Sequence, residues 1–85
     1  MKPDFAEAFA NRAQVYAELQ NKPEAAFTDI DKALKLNSGK PEFYRIKSTM
    51  LINLNRNKEA CTCLKNGMDK GLKTLAEDYK ERCSK

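Results

Sequence analysis

The chain has 85 residues, room for one small domain, and a domain of that size buries about 60 to 70% of the surface that its unfolded chain exposes. Hydrophobic residues at 41% and charged residues at 33% exclude the composition of a disordered segment. The net charge of +4 comes from 16 basic and 12 acidic residues scattered without a block of five like charges, the pattern of a solvated helical surface, which makes nucleic acid the less favoured partner, while an isoelectric point near 9.0 keeps a nucleic-acid-associated adaptor as an alternative.

Start and stop signals divide the chain into five helical segments and leave no strand. The first opens at Asp4, an N-cap with Glu7 three residues on in capping-box spacing, and fades at Gln20-Asn21. Within it Phe5, Phe9, Arg12, Tyr16 and Leu19 recur at spacings of four and three, so all five are expected on one face, with the four hydrophobic members buried. The second segment starts near Pro23, suited to a first helical position, and runs to Ser38-Gly39. The third begins at Pro41, carries Phe43, Tyr44, Met50, Leu51 and Leu54, and is interrupted by the run NLNRN. The fourth covers about Lys58 to Lys70 and stops at Gly71, a natural C-terminal cap. The fifth starts at Thr74, a candidate cap with Glu77 three residues on, and holds Leu75, Ala76, Tyr79 and Cys83 on one side.

Short connections between such helices imply antiparallel hairpins. Comparing the halves shows why there are two of them. Phe9, Ala13 and Tyr16 are followed 35 residues later by Tyr44, Ser48 and Leu51, and Ala26, Ile30 and Ala33 are followed 34 residues later by Ala60, Leu64 and Gly67. A period of 34 in a helix-turn-helix unit marks stacked helical repeats. Two helices approach closely only where side chains are small, which accounts for Ala13, Ala26 and Ala33 in one unit and Ser48, Ala60 and Gly67 in the other. At Gly67, inside a helix, even a methyl is expected to be too large, since glycine there costs about 1 kcal/mol relative to alanine.

At those twelve positions the chain resembles the tetratricopeptide repeat family. The resemblance implies an all-α fold, antiparallel helix-turn-helix repeats stacked as a short right-handed α-solenoid of five helices. It makes residues 1–85 a single domain with repeat 1 at about 6–39, repeat 2 at about 41–72 and a capping helix at about 74–84. It also implies a non-catalytic module that binds a protein or peptide on the concave face made by the first helix of each repeat. Carried over by position, that face shows Glu7, Ala10, Asn11, Gln14 and Ala17, then Glu42, Arg45, Thr49, Ile52 and Asn53. The expected peptide-binding residues are Asn11, Gln14, Arg45, Thr49 and Asn53: amides for a peptide backbone and a guanidinium for a carboxylate. Members of the family that bind chaperone tails clamp a terminal carboxylate partly with a lysine, and the residue here at that place is Glu7.

Arg12 stands where the repeat usually has leucine. Asp29, one residue before Ile30, is its expected partner across the hairpin. In the second repeat Lys47 occupies the Arg12 position while Cys63 replaces the aspartate, so Lys47 is expected to reach solvent.

The remaining signals concern what the chain lacks. Histidine is absent, no glycine-rich loop precedes a helix, and no paired carboxylates stand out, so no enzymatic activity, cofactor or metal is expected. Cys61, Cys63 and Cys83 are an odd number without framework spacing, which points to reduced thiols in a reducing compartment, with one disulfide and a spare thiol as the alternative. Cys61 and Cys63 point about 200° apart on a helix, and Cys61 and Cys83 fall on apolar stripes, where core packing is the expected role. No apolar opening run or membrane-length stretch occurs, and a cytoplasmic location is the expectation. Phe5 leaves the amino-terminal face without a cap, so a homodimer through that face, or further repeats before Met1, is the competing expectation.

Overall fold

The structure is a computed structural model and describes residues 5–83. Among the described residues it is all-helical: α1 (Phe5–Glu18), α2 (Pro23–Leu36), α3 (Pro41–Asn53), α4 (Asn57–Asp69) and α5 (Leu75–Cys83). The expected cap at Asp4 lies outside the described residues. Three breaks use one device. Asn21, Asn55 and Gly71 adopt positive φ of 51°, 62° and 91°, the left-handed conformation that asparagine and glycine tolerate best. The next residue then turns its N–H back onto the helix just ended: Lys22 to Tyr16, Arg56 to Leu51 and Leu72 to Gly67. Pro23 and Pro41 restart the chain at first helical positions, where a missing N–H costs nothing.

α1 packs on α2, α3 on α4, and α5 on α4, while α2 and α3 join the two hairpins. The first hairpin closes on Ala6, Ala10, Ala13, Ala26, Ile30 and Ala33, with Phe43 and Met50 of α3 completing that cluster. A second cluster gathers Tyr44, Leu51, Ala60, Cys63, Leu64 and Leu75, and Phe27 and Leu34 pack against both. Ile30, Leu64 and Leu75 are fully buried, each worth about 1.5 to 3 kcal/mol of burial. Gly67 is required by contact: a Cβ there would overlap Leu75 Cδ1 and stand 3.0 Å from Tyr44 Cγ.

Three expectations are corrected. The buried stripe of α1 is Ala6, Ala10 and Ala13, whereas Phe5 and Leu19 are each 80% exposed and Phe9 and Tyr16 lie half-buried at its edge. Close approach to α2 turns the small residues inward and moves the aromatic row aside. Ala10 is buried at the base of the open face expected for it.

The expectation of three reduced thiols also fails, because Cys61 and Cys83 form a disulfide that fastens the end of α5 to the start of α4. Antiparallel packing of these two helices brings positions 22 residues apart together. Cys63, on the other side of α4, is the free thiol. Lys47 does not stop at solvent, since its Nζ donates to Asp31 Oδ1 at 2.6 Å, one helix over.

Candidate functional site

Arg12 has a structural task. Its Nε and Nη2 donate to Asp29 Oδ2 and Oδ1 at 2.7 and 2.9 Å, joining α1 to α2. The guanidinium also lies 5.6 Å from the Phe9 ring centre and 5.8 Å from that of Tyr16. Asp29 is buried and its two oxygens are met, and the hydrogen bond from Arg12 holds the guanidinium proton more firmly than usual. This group is committed within the hairpin.

The open face lies between α1 and α3. The 35-residue offset sets Glu7 beside Glu42, Ala10 beside Arg45, Gln14 beside Thr49 and Glu18 beside Asn53, so two equivalent stripes face each other across a groove. The groove consists of two adjoining depressions of about 480 and 220 Å³ that share Gln14, Arg45 and Ile46. Ala10, Phe43, Ile46 and Met50 form an apolar floor. Asn11 and Gln14 stand on one wall, Arg45, Thr49 and Asn53 on the other. The structure therefore brings all five sequence-selected residues to one groove. Ile52 does not reach it and packs against the second cluster instead.

Sequence reasoning missed Ile46, although the same offset maps it from Asn11. It also missed two ion pairs at the edge of the groove. Arg45 Nε donates to Asp78 Oδ2 at 2.7 Å, reaching across to α5, and Lys40 pairs with Glu7. Chemically, the groove offers amide and hydroxyl groups that donate and accept, over an apolar base, which suits an extended backbone with side chains dipping inward.

Elsewhere the reactive groups are muted. The Cys63 thiol donates to the Tyr44 carbonyl at 3.6 Å, and burial pushes its pKa up to about 11, with Lys47 opposing the shift and Asp31 adding to it. A thiol kept protonated at neutral pH is a poor nucleophile. Burial, and then the neighbouring Cys63, raise the Tyr44 pKa as well. Among the described residues no helix is long and apolar enough to cross a membrane. Comparison of the chain with family models, curated proteins and solved structures finds no match in any of the three.

Proposed function

We propose that the chain is a non-catalytic protein-interaction module of the tetratricopeptide kind, holding a peptide or helix segment in the groove between α1 and α3. The observation that carries this reading is the convergence of Asn11, Gln14, Thr49 and Asn53 over one apolar floor. A ligand backbone loses its water on docking and needs replacement partners, which these four side chains supply without a rearrangement of the core. The expected affinity is micromolar, on the order of 8 kcal/mol, as befits a short groove open on one side. The cytoplasmic placement loses the support of reduced thiols, because Cys61 and Cys83 are joined.

The test is selection of a random dodecapeptide library against the folded chain, followed by binding of the recovered peptides to Thr49→Trp. Thr49 is half-buried in the groove wall, so the indole fills the groove while the core stays as it is. Peptides that bind the natural chain and lose affinity tenfold or more on Thr49→Trp support the reading. Peptides indifferent to the substitution defeat it.

A second reading, self-association, is favoured by one observation: Phe5 and Leu19 on α1 are both 80% exposed. Sedimentation equilibrium of the natural chain and of Phe5→Ser/Leu19→Ser decides it. A dimer that dissociates in the variant supports this reading, and a monomer throughout removes it.

A further inference from the structure

We infer that the segment received by the groove is basic, with a lysine or arginine toward each end of a stretch of about five residues; this rests on the peptide-groove reading above. The whole chain carries +4, yet its groove carries the opposite sign. The charged residues that line the groove are Glu7, Glu18, Glu42 and Arg45, an excess of two negative charges, and Lys40 and Asp78 stand beside it as the partners of Glu7 and Arg45. Both cations are already held by carboxylates of the chain, Lys40 by Glu7 and Arg45 by Asp78. A ligand carboxylate arriving at Arg45 would have to displace Asp78, whose side chain is only 22% exposed. An acidic peptide therefore meets two unmatched negative charges and, among the described residues that line the groove, no unoccupied cation.

Glu18 and Glu42 are the reverse case. Both are exposed, both line the groove, and neither has an ion-pair partner among the described residues. Glu42 stands level with Glu7 at one end of the groove, and Glu18 lies eleven residues further along α1, at the other. At the helical rise that is about 16 Å measured along the groove. An extended peptide covers this distance in about five residues. Two basic side chains at that spacing reach one carboxylate each, while the residues between them lie over Ile46 and Met50. Nucleic acid, with its dense phosphate charge, is repelled by the same carboxylates.

The probe is again the random dodecapeptide library, selected in parallel on the natural chain and on Glu18→Lys/Glu42→Lys, with circular dichroism melts showing that both are folded. The natural chain is expected to return peptides with two basic residues about five apart. Their synthetic versions should weaken about tenfold on Glu18→Gln/Glu42→Gln, about threefold for each exposed pair, and be unchanged on Glu81→Gln, which lies on exposed α5 surface. The charge-reversed variant is expected to return acidic residues at the same spacing. Peptides that are lost on Thr49→Trp but show no basic preference overturn the charge inference and leave the groove standing. If no recovered peptide is sensitive to Thr49→Trp, the groove and the inference fall together.

Discussion

Gly67→Ala tests the packing of the second repeat at its tightest point. Two effects oppose each other. Alanine in a helix interior is favoured over glycine by about 1 kcal/mol. Against this, the new methyl would overlap Leu75 Cδ1 and sit 3.0 and 3.1 Å from two atoms of the Tyr44 ring. The leucine end is flexible in principle, but Leu75 is fully buried and Tyr44 is 5% exposed, so making room for the methyl means displacing packed side chains. Overpacking of this kind costs about 1 to 3 kcal/mol. The net expectation is a loss of about 1 kcal/mol, which lowers the melting temperature of a domain this small by about 4 to 8 °C. Thermal unfolding followed by circular dichroism reads the shift. Combining Gly67→Ala with Leu75→Ala should cost less than the sum of the two, by about 0.5 kcal/mol or more, because the leucine then no longer meets the methyl. Gly39→Ala is the control, with only Asn37 Oδ1 near, at 3.4 Å, and is expected to stay within about 0.5 kcal/mol of the natural chain. A rise in melting temperature on Gly67→Ala would refute the packing described for α3, α4 and α5.

Reduction of Cys61–Cys83 with a dithiol, or Cys61→Ser/Cys83→Ser, is expected to remove about 3 kcal/mol through the loop of 22 residues that the bond closes, and unchanged melting would contradict this. For Arg12 and Asp29, each single change (Arg12→Ala, Asp29→Asn) should lower the melting temperature, and the double variant should fall less than the sum; strict additivity would show that the two are uncoupled. Cys63 should resist iodoacetamide at pH 8 until the chain is unfolded. Between about pH 9 and 11 the folded state keeps a proton that the unfolded chain releases, so stability present below pH 9 declines as pH rises through 11; Cys63→Ala should flatten that slope in urea titrations.

The breaks between helices were legible because each needs a residue type with a physical reason: Asn21 and Gly71 for left-handed φ, Pro23 and Pro41 for helix starts. The NLNRN run also announced its break, which Asn55 makes. The small-residue pattern gave the hairpin contact, with Ala13, Ala26 and Ala33 all fully buried. The face of α1 was misread because aromatic residues dominate a hydrophobic count, while contact distance selects alanine.

Pairing across helices was legible only where one position was expected to answer another. Asp29 answered Arg12 in this way. Lys47 found Asp31 rather than the position opposite it, because a lysine stem is long enough to reach the neighbouring hairpin. Cys61 and Cys83 meet through the docking of α5 on α4, and Arg45 meets Asp78 through the same docking. Nothing in local spacing fixes how a short terminal helix lies on its neighbour, so these two links depend on tertiary packing alone. They also change the chemistry of the groove, since they turn the guanidinium expected to hold a ligand carboxylate into one already engaged.

The proposed role depends on the groove between α1 and α3 receiving a peptide. Its most direct test is a nitrogen-15 correlation spectrum of the folded chain, titrated with a library-selected dodecapeptide. The side-chain amide signals of Asn11, Gln14 and Asn53 and the backbone signals around Thr49 should move together and saturate at micromolar peptide. Signals that move on α2 and α4 instead, with these four residues silent, would contradict the account.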